Sequence, residues 1–296
     1  MGAPLTDSLI RFVFERAALR GAVVGLDSAY RQCVGHHLYP PRLKRLIGET
    51  MAAMCLLANS LKFEGSLVLQ LQASGALRLL VVECDASLSM RATAQWNGEI
   101  AESATLGELA GDPKRSRMVL TLDPKDGGPL HQGIVALEGG SVASLFEHYL
   151  GTSEQIASRL WLEADDEQVR GLLLQRMPAS TEADAATWER AVSAVDKAQQ
   201  RFAPTDAHAL LHLLFLDDDV RAFRARVPRF ACSCTRERVA GALKMLGSAE
   251  VESILAEQGS IGVNCEFCNR RYDFDAIAAR ALFAEPRAAV AHQLPS

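Results

Sequence analysis

Cys232-Ser233-Cys234-Thr235-Arg236-Glu237-Arg238-Val239 and, with thirty residues intervening after Cys234, Cys265-Glu266-Phe267-Cys268-Asn269 form the most informative stretch of this chain. Four thiols stand there in two close pairs. A C-x-x-C in a tight turn aims two sulfurs at one point, and a second pair completes a tetrahedral sulfur site of the kind that holds structural zinc. The spacing predicts one Zn2+ per chain, held by Cys232, Cys234, Cys265 and Cys268. The flanking residues predict a small module around it. Thr235 caps a helix with Val239, Leu243 and Leu246 along one face, and Gly247 ends it. Ser248 caps a second helix with Val251, Ile254 and Leu255 inward and Gly259 as the stop. Ile261 to Val263 and Arg271 to Phe274 read as short strands on either side of the C-x-x-C, and Asp275 caps a last helix bearing Ile277, Ala281 and Leu282. So few apolar side chains would hardly fold alone, which is why a unit this small needs a metal or disulfides.

The C-x-C half allows a second chemistry. Two residues of extended chain span ~6.6 Å, at the edge of the Cα separation that a disulfide tolerates, so a Cys232–Cys234 bond is feasible but strained. Sulfurs ~2.3 Å from one zinc sit about 3.8 Å apart, whereas a disulfide needs ~2.05 Å. Metal binding and oxidation therefore exclude each other. Arg236, Arg238, Arg270 and Arg271 bracket both pairs and favour the thiolate, the form that oxidants attack. Losing the metal would remove the ~10–16 kcal/mol that zinc contributes to such folds, and the module would unfold.

Further out, the chain has 296 residues, a length that suggests about two domains, with 49% hydrophobic and 23% charged residues, which excludes wholesale disorder. Residues 1–176 read as a mixed α/β domain. A helix runs from Leu43 to Leu61 after Pro40-Pro41. From Gly65, Leu67, Leu69 and Leu71 alternate with Val68, Gln70 and Gln72, a period-2 strand. Leu77 to Cys84, Met90 to Trp96, Met118 to Leu122, His131 to Leu137, Arg159 to Glu163 and Val169 to Leu174 read as further strands. Asn97-Gly98 carries hairpin-turn chemistry before Glu99 and Ile100, and Ser141 to Leu150 reads as a helix after Gly139-Gly140. Helices interleaved with antiparallel-type strands make the fold α+β. Residues 177–231 read as a helical linker. Thr181 and Asp184 form a capping-box-like start, and Trp188, Val192 and Val195 make one narrow apolar stripe that must dock on something. Ala203-Pro204 breaks this helix. Thr205 or Asp206 caps the next, which contains Leu210, Leu211, Leu213 and Leu214, and Asp217 to Asp219 form a solvated turn. Residues 232–296 are the zinc module.

The two cysteine motifs together resemble the heat shock protein 33 family of redox-regulated holdase chaperones. Leu216-Asp217-Asp218-Asp219-Val220-Arg221, Gly171-Leu172-Leu173-Leu174-Gln175, Thr121-Leu122-Asp123-Pro124-Lys125, Gln132-Gly133-Ile134-Val135 and Phe63-Glu64-Gly65-Ser66-Leu67 fit the same family, so the likeness spans essentially the whole chain. The resemblance implies an ATP-independent cytoplasmic chaperone, not an enzyme, that is zinc-bound and inactive when reduced. Peroxide with unfolding stress, or hypochlorous acid, would form the disulfides Cys232–Cys234 and Cys265–Cys268, expel zinc and unfold the C-terminal module. The linker helices would then loosen, exposing apolar surface to unfolding client proteins, with homodimer formation on activation.

Two other functions fit parts of the pattern. A thiol–disulfide oxidoreductase would use Cys265 and Cys268, but requires a C-x-x-C that opens a helix in a βαβ context. A zinc-ribbon module binding nucleic acid is opposed by the net charge of -5. No nucleic-acid or membrane partner is expected. The longest apolar run, Met51 to Ala58, stops at Asn59, well short of the ~18 residues of a membrane span, and Asp7, Arg11, Glu15 and Arg16 stand where a secretory signal would be apolar. Of the seven cysteines, Cys33, Cys55 and Cys84 lie outside the motifs. Cys55 and Cys84 read as inert core thiols, and Cys33 with His36 and His37, like the i, i+4 pair His208 and His212, reads as packing or surface. Neither a hydrolase elbow nor a phosphate loop occurs.

Overall fold

The computed structural model describes residues 6–61, 63–124, 127–137, 140–178, 180–198 and 207–283. They fall into two compact units that divide between Ala231 and Cys232. The first contains two sheets. One has strand order β10-β1-β2-β9-β8, with β1 Ser8–Phe14, β2 Leu19–Leu26, β8 Ser158–Ala164, β9 Val169–Arg176 and β10 Val220–Ala222. The other has order β11-β5-β4-β3-β6-β7, with β3 Gly65–Gln72, β4 Leu77–Asp85, β5 Ser89–Trp96, β6 Arg117–Pro124, β7 His131–Ala136 and β11 Arg229–Phe230. Neighbouring strands run antiparallel except β11, which lies parallel to β5.

Helix α2, Pro41–Ser60, is the hub between them. Pro41 stands at its first turn, where a missing N–H costs nothing. Its apolar residues surround most of its circumference and touch strands of both sheets, so Leu46, Met51, Met54, Cys55 and Leu56 are all fully buried. Gly48 lets the helix approach the five-stranded sheet closely, since a Cβ there would sit 2.7 Å from Val169 Cγ2 and 3.0 Å from Tyr30 Cε2. Helix α4, Val142–Thr152, packs beside β8 with Ser141 Oγ accepting from the Ser144 N–H at 3.2 Å. Two short helices, α1 Ser28–Val34 and α3 Leu106–Ala110, complete this side.

The opposite face of the five-stranded sheet is covered by α5, Glu182–Ala198, and α6, Ala207–Leu214. The predicted stripe docks there. Val195 and Ala191 are buried with Trp188 and Val192 beside them, against Ile10, Phe12, Leu172 and Leu174. Leu210, Leu211 and Leu214 of α6 join the same cluster, and Phe215 stacks on Phe12 and Phe14 at centroid distances of 5.6 and 5.1 Å. Each such side chain removed from water is worth about 1.5–3 kcal/mol. Polar ties fasten the ends: Asp184 accepts from the Thr181 N–H at 2.6 Å and from the Ala18 N–H at 3.0 Å, and the Trp161 indole donates to Asp196 at 2.7 Å. Arg190 reaches Asp218 at 3.2 Å. Ala203-Pro204, the caps proposed at Thr205 or Asp206, Lys125 and Gly139 lie outside the described residues.

The second unit holds α7 Arg236–Leu246, α8 Ser248–Gln258, the hairpin of β12 Ser260–Asn264 and β13 Arg271–Asp275, and α9 Ala276–Ala281. Its core is seven buried apolar residues, Leu243, Val251, Leu255, Ile261, Tyr272, Phe274 and Ala279, among the described residues. Three expectations fail here and in the first unit. Ser248 is the first residue of α8 rather than its cap; Gly247, at φ +92°, takes the cap position with no side chain to offer. Leu246 and Ile277 point to solvent, 56% and 82% exposed, because α7 and α9 are too short for their apolar residues all to reach so small a core. Asn97-Gly98 does not start a strand: Asn97 donates its N–H back to the Ala76 carbonyl at 2.9 Å, closing β5 instead, and Glu99 and Ile100 continue as loop. The strands β1, β2, β10 and β11 and the helices α1 and α3 were not legible in the sequence pattern.

Two substitutions test this packing. Gly48→Leu should lower the denaturant midpoint, because overpacking against Val169 and Tyr30, about 1–3 kcal/mol, exceeds the ~1 kcal/mol that replacing a helical glycine returns; a raised midpoint would show that α2 and the sheet have room between them. Asp184→Ala should speed amide exchange in α5 while leaving β3 and β4 protected. The hydrogen bonds from the Thr181 and Ala18 N–H groups hold the Asp184 carboxyl below the usual range. Since the charged form is the one bound, the tie is complete above the unfolded aspartate value of about 3.9 and is lost as pH falls through the lower folded value. Acidification of the unsubstituted protein should therefore reproduce the same local exchange.

Candidate metal centre

Cys232 and Cys234 lie in the extended segment that leads into α7, whose first turn is capped by Thr235 Oγ1 accepting from the Arg238 N–H at 3.2 Å. Alternation along extended chain turns both sulfurs to the same side. Cys265 and Cys268 lie in the turn between β12 and β13. The Cys265 N–H donates to the Arg270 carbonyl at 2.9 Å and the Asn269 N–H to the Cys265 carbonyl at 2.8 Å. Asn269 takes a left-handed φ of +53°, which asparagine tolerates better than most residues, and its side chain accepts from Asn264 Nδ2 at 3.1 Å. The turn closes on itself and presents its two thiols together.

The four Sγ atoms lie within 4.8 Å of one another, with Cys232 to Cys265 at 3.7 Å and Cys234 to Cys268 at 3.3 Å. None of the four is in a disulfide, and all are half-buried. These separations match the ~3.8 Å expected between sulfurs around one tetrahedral zinc and far exceed a ~2.05 Å disulfide. The donor set is all sulfur, which suits zinc or an iron–sulfur centre rather than a hard cation. Among the described residues no other cluster of three or more ligating side chains converges in this way.

The charge on this cluster is unevenly shared. Burial acts to raise the Cys234 thiol, but hydrogen bonds from Tyr272 Oη at 3.2 Å and from the neighbouring sulfurs outweigh it and bring the group down to about 7. Burial pushes Cys232 up, and burial with donation to its neighbours pushes Cys268 up to about 12. Cys234 is thus the sulfur that ionises most readily, with Tyr272 and the neighbouring thiols donating to it.

The arginines divide differently from the expectation that all four favour the thiolates. Arg270 meets Tyr272 Oη and the charge of Cys234 and Cys268. Arg236 instead donates to the Asp273 carbonyl at 2.8 Å and lies over the Phe274 ring, Arg238 donates to Ser233 Oγ at 2.6 Å, and Arg271 pairs with Asp273 at 2.8 Å. They brace the module around the sulfurs. Tyr272 was not identified from sequence; its signal is the period-2 alternation of β13, which turns Tyr272 and Phe274 inward. The remaining cysteines are elsewhere. Cys33, Cys55 and Cys84 are buried, and burial raises Cys55 and Cys84 well above the thiol range. His36 packs on Phe230 and His37 on Tyr39, each at 5.3 Å. His208 and His212 border a small cavity of about 180 Å³.

The C-x-x-C of Cys265 and Cys268 joins two antiparallel strands rather than opening a helix after a strand, unlike the oxidoreductase arrangement. Among the described residues no helix is long and apolar enough to cross a membrane.

Comparison with known proteins agrees with this architecture. The profile of the family described as Hsp33 protein matches residues 7–275. The 33 kDa chaperonin of Methylobacillus flagellatus is 43% identical over 282 residues, covering 94% of this chain and 95% of that protein. That of Chromobacterium violaceum is 44% identical over 280 residues, covering 94% of each. The crystal structure of the 33 kDa chaperonin (heat shock protein 33 homolog) from Thermotoga maritima superposes with a TM-score of 0.80 at 18% identity, covering 93% of this chain and 97% of the other, and so shares its fold. Sequence, fold and the four-cysteine cluster converge on one conclusion: the chain belongs to the Hsp33 family of chaperones.

Proposed function

We propose that this protein is a redox-regulated, ATP-independent holdase that binds unfolding proteins, with Cys232, Cys234, Cys265 and Cys268 as its switch. The observation that carries the reading is the convergence of four cysteine sulfurs within 4.8 Å in a unit whose core, among the described residues, is seven buried apolar side chains. Zn2+, when bound, supplies the positive charge that keeps all four sulfurs as thiolates and the cross-links that a core this small lacks.

The switch follows from the sulfurs themselves. A peroxide takes two electrons and two protons from each cysteine pair and leaves as two waters, so two equivalents convert four thiols to two disulfides. The family resemblance implies the pairs Cys232–Cys234 and Cys265–Cys268. A sulfur drawn into a ~2.05 Å bond has left the spacing that four ligands of one ion share, so the oxidised and liganded states exclude each other. With its cross-links gone, the module of residues 232–296 loses its fold.

Residues 177–231 follow the core domain of residues 1–176 and precede the switch, and they hold the apolar face of Ile10, Phe12, Phe14, Leu172 and Leu174 out of water. Release of α5 and α6 would expose that face together with their own Leu210, Leu211 and Leu214. This is the apolar surface an unfolding client would find. A second copy could cover part of it, consistent with dimer formation on activation in the cytoplasm.

Two measurements test the reading. The reduced protein should carry about one zinc per chain and leave aggregation of a heat-denatured client unchanged; after peroxide at elevated temperature, zinc release and suppression of aggregation should appear together. Zinc release with continued aggregation would refute the chaperone switch while leaving the metal centre intact. Cys234→Ser should drop the zinc content well below one per chain and make the segment after Ala231 sensitive to limited proteolysis in the reduced state, with the first unit remaining resistant.

A further inference from the structure

Helix α2 covers the inner face of the five-stranded sheet only until Ser60, where it ends. The strand register shows what lies beyond. Arg11, Ala22 and Leu173 are directly opposed in one row, and Val13, Arg20 and Gln175 in the next. These two rows form one wall of a cavity of about 780 Å³, whose other sides come from the end of α2 at Ala58 and Asn59 and from Phe223 and Arg226. That size falls within the range of small-molecule sites.

The charges of this cavity are all of one sign. Among the described residues its lining includes Arg11, Arg20 and Arg226 and no aspartate or glutamate. Elsewhere in the same unit comparable arginines face carboxylates, as Arg42 does Glu49, Arg91 does Glu83 and Arg170 does Asp27. Here the partners are neutral. Arg20 Nε donates to Gln175 Oε1 at 3.0 Å, and Gln175 is itself fixed by donating to Ser158 Oγ at 3.1 Å. The two terminal nitrogens of Arg20 have no hydrogen-bond partner among the described residues. Arg226 donates to the Ala86 carbonyl and to Asn59 Oδ1, and Arg11 lies over the Phe223 ring at 5.3 Å. Arg11 is exposed and Arg226 half-buried, while burial works against the charge of the half-buried Arg20, a cost that no carboxylate beside it offsets. An anion would relieve that cost, and Val13, Ala22 and Leu173 would bury an aliphatic chain attached to it.

We propose that this cavity is a binding site for an anionic amphiphile, a medium- or long-chain carboxylate whose head group is taken by the cavity arginines, Arg20 foremost, and whose tail lies along the apolar rows of the sheet. All the lining residues belong to the first unit, and none is one of the four clustered cysteines.

The test is calorimetric titration of the full-length reduced protein with decanoate, 1-decanol and acetate, each below its solubility or micelle limit. Decanoate should bind saturably with one site per chain, and decanol and acetate each at least about tenfold more weakly, the scale of one charge-assisted hydrogen bond or of a buried tail. Arg20→Gln should weaken decanoate at least about tenfold while leaving zinc content unchanged. No saturable decanoate binding, equal binding by Arg20→Gln, or equal binding of decanol would overturn the proposal; acetate binding as tightly as decanoate would reduce it to a bare anion subsite and overturn it equally. If Arg20→Gln loses its circular dichroism signature, the comparison of the three ligands on the unsubstituted chain decides.

Discussion

The five-stranded sheet is apolar on both faces, and this is the constraint to which the rest of the first unit answers. Seven of the eight residues of β9, from Val169 to Gln175, are buried, and β2 is nearly as enclosed. A sheet of this kind has no face to offer water, so two covering layers are needed. On one side α2 serves, sharing its own circumference with the second sheet. On the other, α5 and α6 serve, although they arrive after all but two short strands of the two sheets have been laid down in sequence. A helix pair with a narrow stripe is thereby made essential to the solubility of the unit. It is fastened by the stripe of α5, by Leu210, Leu211 and Leu214 of α6, and by ties such as Asp184 to Ala18 and Trp161 to Asp196.

The two units of the chain are stabilised by different physics. The first buries a large continuous cluster through which both sheets and α2 are joined. The second buries few apolar side chains and gathers its elements around four sulfurs. Hydrophobic burial is indifferent to oxidants, whereas ligation by thiolate is not. Tyr272 links the two kinds of stabilisation, since its ring belongs to the small core while its hydroxyl donates to Cys234.

Local signals were readable wherever cause and effect lie a few residues apart. Thr235 and Asp275 cap the helices that follow them, the latter accepting from the Ala278 N–H at 2.7 Å, and the alternation from Gly65 to Gln72 is a strand buried on one face. Signals failed where the partner is distant. Helix α1 is capped by Asp7, which accepts from the N–H groups of Asp27, Ser28 and Ala29 from twenty residues away or more. Strands β1 and β2 are buried on both faces, so no alternation marks them, and β10 and β11 are two or three residues long and exist only because an edge is waiting for them.

By itself the sequence singled out the four cysteines that the fold brings together, since two short cysteine spacings leave their sulfurs little freedom, and it determined the family through motifs spread along the chain. It determined the elements whose periodicity is long and one-sided. Only the tertiary structure decided which surfaces those elements cover. That the stripe of α5 closes over Phe12 and Leu172, that Arg270 rather than its three neighbours bears on the sulfurs, and that Arg11, Arg20 and Arg226 share one cavity without a carboxylate are facts of strand register and packing. They join residues far apart in sequence, and no local pattern carries the distance between them.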